Sequence, residues 1–485
     1  MKYYVTTSIP YVNGEPHVGH ALEFLMADVL ARAARQRGDE VIFSTGADEH
    51  GSKIKQTADK LGLTPHQLTD KMTEQFIDLL HELNISNDRF IRTTDRAHGQ
   101  RAQLIWKALK SDIYKAKYTG WYDVKEEEFV PEGKADPERM KPEHPQAYQK
   151  LEEENYFFKL SKYTDKIKEA IESGAFQVVP EIRRNEILAV LHEGLDDISI
   201  SRPKEKLDWG IGVPGDHTQV MYVWFEALMN YITVLGYPEH DEFKQFWPAN
   251  TQVIGKDIIR FHAAIWPGLL MSLGLPLPKQ LYVHGHITLD GKKMSKSLGN
   301  VVSPKEILDR YGVEAFRYYF LRHIPSYNDG DFSWDAFAAA YNNELANELG
   351  NAVQRTAAMI ERYQKGVIGA VPPAEHDNKP VAQAIAECRF DRALDEIWTQ
   401  VRGLNQYIDQ EKPWEIAKNK DKEGKDHLRE VLAYQVSCLL EIADLLVPFL
   451  PETAVNIQAV FKDGTVKLPE HTLFPKHEDA KAPKK

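Results

Sequence analysis

The first fifty residues run from a strand to a loop, a helix and a second strand, and this order constrains the fold more than any other feature. Residues 3–9 (YYVTTSI) are aromatic and β-branched, which is typical of a strand. An Asn-Gly turn follows, and apolar residues then recur at helical spacing from about Pro16 to Gly38. Residues 40–46 (EVIFSTG) predict the second strand. The order favours a parallel nucleotide-binding sheet, so we predict an α/β fold.

The rest of the chain predicts an insertion into that sheet and a helical region after it. Residues 123–154 are dense in Glu, Lys and Pro, whereas apolar strand-like segments return at 218–223, 251–254 and 281–284. One stripe typical of a bundle helix is formed by Leu394, Ile397, Val401, Leu404 and Ile408. We expect a Rossmann-like parallel-sheet domain (1–116 and 216–290) split by an inserted domain (117–215), then a loop region (291–335), an α-helical bundle (336–465) and a tail (466–485).

Composition sets limits on the partners. The chain has 485 residues with a formal net charge of −12, which argues against a protein coated in positive charge but leaves room for a local basic strip. No apolar run reaches the ~20 residues of a membrane span, and the N-terminus resembles neither a secretion signal nor an Arg-rich transit peptide. The two cysteines, Cys388 and Cys438, are interpreted as small buried apolar residues, which favours a cytoplasmic location.

Two histidines flank a glycine at the predicted start of the first helix. His17 and His20 are three residues apart and therefore share a helix face. The first turn of a helix has unpaired N–H groups and a partial positive charge, so it attracts phosphate. Gly19 would let a phosphate or a flat ring approach the backbone. These residues predict a clamp for a phosphoryl or nucleotidyl group, with two incidental surface histidines as the alternative.

A second cationic motif lies at residues 290–300, DGKKMSKSLGN. Its three lysines, Lys292, Lys293 and Lys296, are flanked by small hydroxyl residues and glycines, which predicts a mobile loop able to close over a triphosphate. A solvated charge run is the usual alternative for lysines. The following Ser303-Pro304-Lys305-Glu306 predicts a capping box that anchors the next helix.

These two motifs resemble the signatures of class I aminoacyl-tRNA synthetases, and the chain resembles methionyl-tRNA synthetases along almost its whole length. The matching stretches are PYVNGEPHVGH, TGADEHG, YVWFEALMNYIT, IGKDIIRFHAAIWP, KMSKSLGN, GNAVQR and EKPWEIAK. The resemblance implies that L-methionine reacts with ATP to give methionyl-adenylate and pyrophosphate, and that the methionyl group then passes to the 3′ end of tRNA(Met). A carboxylate is already a nucleophile, so the site must supply alignment and charge stabilisation rather than a base.

The resemblance also implies which residues do this work. The catalytic candidates are His17, His20, Lys293 and Lys296, with Mg²⁺ on the phosphates of ATP. The candidate ATP site is His17, Gly19, His20, Gly255, Asp257 and Lys296. Asp48 matches the aspartate that holds the substrate ammonium group. The methionine side chain would be surrounded by Ile9, Tyr11, Trp224, Ala227, Leu228, Tyr231, Ile258 and His262, since aromatic rings make favourable contacts with a thioether. Plain core packing is the rival for each of these eight.

Two positions depart from the family pattern in this region. Glu226 stands where the family more often has Asp, and Leu228 where many members have Pro. These departures predict a local geometry that differs from that of most members but do not alter the family resemblance.

The partner implied by the resemblance is tRNA(Met). Asn351 and Arg355 lie four apart on one predicted helix face, and Pro413-Trp414 begins another helix; Asn351, Arg355 and Trp414 match the anticodon readers of the family. RNA bases outside a duplex are read by aromatic stacking and by polar groups on their edges. Nearby lysines could contact phosphates, namely Lys418, Lys420, Lys422 and Lys425. Core packing of Trp414 is the alternative.

One further departure concerns zinc. Many family members carry cysteine pairs in the insertion, whereas this chain has no cysteine before residue 388. Asp123, Glu126 and His144 stand near that place, but structural zinc is usually held by thiolates and imidazoles. We therefore expect no zinc, and we expect a monomer because little sequence follows the bundle.

Three rival functions remain at this stage. The first is a class I synthetase for leucine, isoleucine, valine or cysteine, although an insertion of roughly 100 residues leaves little room for the editing domain of the first three. The second is a nucleotidyltransferase that acts without tRNA, which the helical region disfavours. The third is an inactive tRNA-binding paralogue, which the complete signature motifs disfavour.

Overall fold

A parallel sheet lies at the centre of the fold, as the computed structural model shows; the structure describes residues 1–123, 128–131, 148–294, 301–373, 376–466, 468 and 472–477. The strands are β1 Lys2–Thr7, β2 Glu40–Ala47, β3 Arg89–Arg92, β4 Ile113–Asp123, β5 Glu128–Pro131, β6 Tyr148–Phe158, β7 Gln177–Val179, β8 Ile198–Ser199, β9 Ser201–Pro203, β10 Gly212–Val213, β11 Asp216–Met221, β12 Thr251–Gly255, β13 Gln280–His284, β14 Ile287–Leu289, β15 Lys292–Lys293 and β16 Gly330–Phe332.

The helices account for most of the remaining regular structure. They are α1 Val18–Gln36, α2 Ser52–Leu61, α3 Pro65–Glu82, α4 Arg96–Ala108, α5 Thr164–Glu172, α6 Glu181–Glu193, α7 Val223–Ala227, α8 Asn230–Thr233, α9 Asp241–Phe246, α10 Trp266–Ser272, α11 Pro304–Tyr311, α12 Val313–Arg322, α13 Trp334–Ala340, α14 Asn351–Gln364, α15 Lys379–Ala386, α16 Phe390–Glu411, α17 Pro413–Ile416, α18 Lys422–Leu446 and α19 Pro451–Val460. Within the described ranges, no helix is both long and apolar enough to cross a bilayer.

Two compact units make up the chain. The sheet unit contains Met1–Pro16, Glu40–Asp78 and Asn87–Val283. The helical unit contains His17–Asp39, Leu79–Ser86 and His284–Lys485. Helix α1, the last turn of α3 and the residues that follow it therefore group with the C-terminal helices, although they lie between the sheet strands in sequence.

The central sheet has the order β3-β2-β1-β12-β13-β7 among the described strands. The pairs β3–β2, β2–β1, β1–β12 and β13–β7 are parallel, with Val5 opposite both Phe43 and Thr251. This confirms the predicted α/β class. In such sheets ligands bind beyond the carboxyl ends of the strands, where the strand order reverses, and here that point lies between β1 and β12.

Other strands form smaller antiparallel sheets. β4 and β6 pair over their whole length, from Ile113 opposite Phe158 to Asp123 opposite Tyr148. β11 pairs with β9 and β10 rather than with the central sheet. The apolar pattern at 218–223 identified a strand but could not show which sheet it joins, because alternation reports burial of a face and not the pairing partner.

The helical unit buries the predicted stripe of α16: Leu394, Ile397, Val401, Leu404 and Ile408 are at most 3% exposed. Cys388 and Cys438 are also buried, as predicted, and burial raises the pKa of the Cys438 thiol to about 11. A fully buried arginine on α12, Arg317, donates to Asp28 on α1 at 2.7 Å and to the carbonyl oxygens of Leu83, Pro448 and Phe449. One guanidinium group thus joins four segments of this unit.

Candidate active site

The N-terminus of α1 is built from the two histidines. The helix begins at Val18 with His17 as its N-cap, two residues later than predicted, because the His17 ring itself caps the first turn. His17 Nδ1 accepts from the Gly19 N–H at 3.1 Å, and His20 Nδ1 accepts from the His17 N–H at 3.2 Å. The rings stack with centroids 3.8 Å apart. A Cβ atom at Gly19 would lie 2.9 Å from His17 Cε1, so a larger residue there would displace the His17 ring from this stack.

This arrangement decides where the imidazole protons lie. A nitrogen that accepts a hydrogen bond carries no proton, so each neutral ring is protonated at Nε2. Both rings therefore present Nε2–H donors, which is the property that a stabiliser of phosphoryl oxygens needs. Both side chains are half-buried, and the end of the helix adds its own partial positive charge.

The second motif is only partly described. Lys293 ends the short strand β15, which pairs with β14 across a turn at Asp290 and Gly291, both with positive φ. Lys296 lies outside the described residues. Ser303 is the N-cap of α11, but no hydrogen bond within the described chain joins its hydroxyl to the first turn. The predicted capping box is therefore wrong here; Pro304 at the first position already removes one N–H that needs a partner.

At the carboxyl ends of β1 and β2, the structure brings Tyr11 and Asp48 together. The Asp48 N–H donates to Pro10 O at 2.8 Å, and the Val12 N–H donates to Asp48 O at 3.1 Å. These bonds flank an isolated bridge between Tyr11 and Asp48. Asp48 is 6% exposed, so its carboxylate is held in a site with little access to water.

The next residue, Glu49, was not identified from the sequence. Its carboxylate is fully buried and accepts from Thr73 Oγ1 at 2.6 Å, from Arg92 Nε at 2.8 Å and from the Thr94 hydroxyl. Trp209 Nε1 donates to the Glu49 carbonyl at 2.7 Å. This segment is therefore anchored from several sides. In the sequence, the run of three polar residues Asp48-Glu49-His50 directly after an apolar strand could have indicated this anchored segment.

Three of the candidate methionine residues, Trp224, Tyr231 and His262, make ring contacts in the sheet unit, and we call this group the aromatic wall. The Tyr231 hydroxyl donates to His262 Nε2 at 2.7 Å, because His262 Nδ1–H donates to Ile258 O at 3.0 Å and leaves Nε2 as the acceptor. Trp224 stacks on Phe261 with centroids 3.8 Å apart. Phe261 was not singled out from the sequence.

The remaining candidates of this unit lie close to the sheet. Ala227 and Leu228 are buried at the end of α7. Ile9 follows β1 and is half-buried. Gly255 ends β12, and Asp257 lies on the turn after it with an exposed side chain. Gly255 and Asp257 therefore stand at the same edge of the sheet as Tyr11 and Asp48.

A buried charge cluster beside this wall was also missed. Glu226 accepts from His50 Nδ1 at 2.7 Å and from His98 Nε2 at 2.9 Å, and His98 Nδ1 lies 2.8 Å from Thr233 Oγ1. Burial alone would raise the pKa of Glu226, but the two histidines outweigh it, so the pKa lies below its usual value. The partners are more than a hundred residues from Glu226 in sequence, which no local pattern reports.

In the helical unit, two of the three candidate RNA-binding residues meet. The Arg355 guanidinium lies 5.6 Å from the centroid of the Trp414 ring and donates to Asp409 Oδ1 at 3.1 Å. Trp414 is half-buried, and Asn351 is exposed at the start of α14. The side chains of Lys418, Lys420, Lys422 and Lys425 are exposed.

Comparison with known proteins places these features in a family. The model of the tRNA synthetases class I (M) matches residues 3–138 and 139–357. The chain belongs to the methionyl-tRNA synthetase family. It is 42% identical over 474 residues to a methionine–tRNA ligase of Brucella melitensis, covering 94% of this chain and 91% of that protein. It is 43% identical over 466 residues to the ligase of Caldanaerobacter subterraneus, covering 93% of this chain and 72% of that one.

A solved structure shows the same likeness. The Mycobacterium tuberculosis methionyl-tRNA synthetase in complex with methionyl-adenylate is 36% identical, with a TM-score of 0.91, and the match covers 98% of this chain and 100% of that chain. Membership of the methionyl-tRNA synthetase family decides against the leucine, isoleucine, valine and cysteine synthetases as alternatives.

Of the three residues that stand near the place of the family's zinc-binding cysteines, the structure describes one. Asp123 is buried at the end of β4, whereas Glu126 and His144 lie outside the described residues. In the parts of the chain that the structure describes, no three His, Cys, Asp or Glu side chains are grouped to hold a metal ion.

Proposed function

We propose that this protein is a methionine–tRNA ligase. It activates L-methionine with ATP, releasing pyrophosphate, and transfers methionine from the adenylate to the 3′ end of tRNA(Met). The observation that carries this proposal is the stacked His17–His20 pair at the start of α1, in which both Nδ1 atoms accept from backbone N–H groups, in a chain of the methionyl-tRNA synthetase family.

In the first step, a carboxylate oxygen of methionine forms a bond to the α-phosphorus of ATP, and the bond from that phosphorus to pyrophosphate breaks. His17 and His20 stabilise the negative charge that develops on the phosphoryl oxygens, together with Lys293 and Lys296. Gly19, Gly255 and Asp257 complete the proposed ATP site. Mg²⁺ would be bound mainly by the phosphates, since it is usually held by substrate phosphates and few protein ligands, and it would neutralise part of their charge.

Methionine is proposed to bind through both of its ends. The Asp48 carboxylate holds the ammonium group. The thioether is received by Ile9, Tyr11, Trp224, Ala227, Leu228, Tyr231, Ile258 and His262. The buried Tyr231–His262 hydrogen bond supports this assignment, because a satisfied hydroxyl and imidazole leave mainly ring surface to face a soft sulfur atom.

The tRNA is proposed to be read in the region 336–465 through Asn351, Arg355 and Trp414. An arginine over a tryptophan ring supports this role, because such a pair offers a flat cationic surface on which an RNA base can stack. The domain limits given in the sequence analysis, a monomeric state, a cytoplasmic location and the absence of zinc belong to the same proposal.

The test is ATP–pyrophosphate exchange with each of the twenty amino acids, with and without tRNA, followed by aminoacylation. We expect exchange that depends on methionine, does not require tRNA, and is followed by charging of tRNA(Met). Exchange with another amino acid would contradict the proposal. Binding of tRNA without any exchange would favour the inactive paralogue, and exchange without charging would favour a nucleotidyltransferase.

Two variants test the histidines. His17→Asn keeps a residue suited to the N-cap position, so a loss of activity does not follow from a missing cap. We expect exchange to fall by about 10²- to 10³-fold in His17→Asn and in His20→Asn. His217→Asn, at an exposed position on β11, is the matched control and should retain activity.

A further inference from the structure

A buried chain of hydrogen bonds links the segment after β2 to the helices α7 and α8. Glu226 on α7 bridges His50 and His98, and His98 continues the chain to Thr233 on α8. Glu226 is 0% exposed, His98 1% and His50 7%. All the residues of this hydrogen-bonded chain lie in the sheet unit, so their distances are distances within one compact body.

The direction of each hydrogen bond follows from the chemistry of the groups. An ionised carboxylate can only accept, so His50 Nδ1–H and His98 Nε2–H both donate to Glu226. The other ring nitrogen of His98, Nδ1, lies 2.8 Å from the Thr233 hydroxyl oxygen and extends the hydrogen-bonded chain to α8. Hydrogen bonds to a buried ionised group are stronger than hydrogen bonds between neutral groups. The link from His50 through Glu226 to His98, which we call the bridge, is therefore rigid.

The two ends of the bridge carry different parts of the candidate methionine site. His50 lies two residues after Asp48, in the segment that also contains the fully anchored Glu49. Glu226 lies between Trp224 and Ala227 on the same short helix. The carboxylate thus connects the residue proposed for the ammonium group to the wall proposed for the thioether.

We propose that Glu226 is a positioning residue for methionine selection, whose bridge to His50 and His98 sets the spacing between Asp48 and the wall around Trp224 and Tyr231. This inference rests on the proposed function. The ammonium group and the side chain of methionine are bound equally tightly before and during adenylate formation. A change in their spacing therefore weakens substrate and transition-state binding together, which raises KM for methionine and leaves kcat nearly unchanged.

Glu226→Gln is the direct test. The amide donates through one atom and accepts through the other, so one of the two rings must change its tautomer or lose its hydrogen bond. In ATP–pyrophosphate exchange we expect KM for methionine to rise about tenfold or more, while kcat and KM for ATP stay within about threefold. Ethionine is one methylene longer than methionine. The ratio of kcat/KM for methionine to kcat/KM for ethionine should fall about threefold or more, because the distance from Asp48 to the wall no longer limits the length of the side chain.

Three further variants separate positioning from general damage. Glu226→Asp keeps the charge on a shorter arm, so its KM for methionine should lie between those of wild type and Glu226→Gln. Thr233→Val removes the outer hydrogen bond to His98, together with a 3.4 Å hydrogen bond to Asn230 O on the same helix, and should raise that KM about twofold, with KM for ATP unchanged. Glu314→Gln alters a half-buried carboxyl group of the helical unit, which accepts from the Thr453 N–H at 2.7 Å, and should leave KM for methionine unchanged even where the melting temperature falls.

The outcomes are distinguishable. An unchanged KM for methionine in Glu226→Gln overturns the inference, as does the same rise in Glu314→Gln or an equal rise in KM for ATP. If Glu226→Gln does not fold, Thr233→Val decides by the same criterion. Wild-type protein without methionine-dependent exchange would overturn the proposed function and the inference with it, whereas an active wild type with unaffected variants overturns the inference alone.

Discussion

Replacing Asp28 by asparagine is expected to destabilise the helical unit far more than the same change at a surface ion pair. Asp28 Oδ2 accepts from Arg317 and from Arg32, each at 2.7 Å, and Oδ1 accepts from the Ser86 N–H at 2.8 Å and hydroxyl at 2.6 Å. An asparagine has the same size, but its NH₂ group must face donors in either orientation. It also removes the ion-pair partner of the buried Arg317.

The magnitude follows from this geometry. Breaking a buried ion pair by removing one partner typically costs about 3–5 kcal/mol. With a urea m-value of about 3 kcal/mol per M, the midpoint of unfolding should fall by about 1–1.7 M. Asp426→Asn is the matched control, because Asp426 lies in an exposed pair with Arg429 at 3.2 Å and such pairs contribute about 0–1 kcal/mol.

The same carboxylate should make stability depend on pH. Burial alone would raise the pKa of Asp28, but Arg317, Arg32 and Ser86 outweigh it, so the pKa lies below its usual value. A lowered pKa gives stability that is fully present above the unfolded value of about 3.9 and is lost as the pH falls through the folded value. The difference between the urea midpoints of wild type and Asp28→Asn should therefore stay constant from pH 7 to about pH 4 and shrink as the pH is lowered further. Equal midpoints for Asp28→Asn and Asp426→Asn at pH 7 would refute the reasoning.

Three other substitutions test separate parts of the molecule. Trp414→Ala should lower kcat/KM for tRNA about tenfold or more, since a stacked base contributes about 1–3 kcal/mol, while ATP–pyrophosphate exchange stays nearly intact; equal damage to both reactions would refute the assignment. Lys296→Ala should suppress exchange by about 10²- to 10³-fold with little change in methionine binding measured by calorimetry, and comparable losses in both would count against its role. Gly46→Ala should lower the melting temperature, because the new Cβ would overlap Ile91 O and lie 2.6 Å from its Cγ2. Gly99→Ala on α4 meets nothing closer than 3.9 Å and should raise stability by up to about 1 kcal/mol, so a Gly46→Ala protein that melts like wild type would contradict this prediction.

Much of the local structure was predictable from the sequence. The alternation of strands and helices predicted the α/β class, and the spacing of Leu394 to Ile408 predicted the buried face of α16. Both follow from periodicities that span a few residues, since apolar side chains must share one face of a helix or strand. The two signature motifs were likewise visible, because their residues are close neighbours in the chain.

Errors arose where a local pattern allows two outcomes. The strand near 218–223 was identified, but its partners were not, because one alternating pattern suits either sheet. Ser303 and Glu306 have the spacing of a capping box, yet the box does not form, since Pro304 changes what the first turn requires. The start of α1 was placed too early because a histidine is an unusual N-cap.

The tertiary structure alone decided which distant polar groups meet. Glu226 lies 176 residues from His50 and 128 from His98, and Arg317 lies 289 residues from Asp28. By composition each of these charged residues would be assigned to the surface, because an isolated charge is costly to bury. Only folding brings each one to a partner that offsets this cost, and that pairing has no signature in the spacing of neighbouring residues. The sequence by itself therefore determined the class of fold and the reactive motifs, while the packed structure determined which buried charged groups pair.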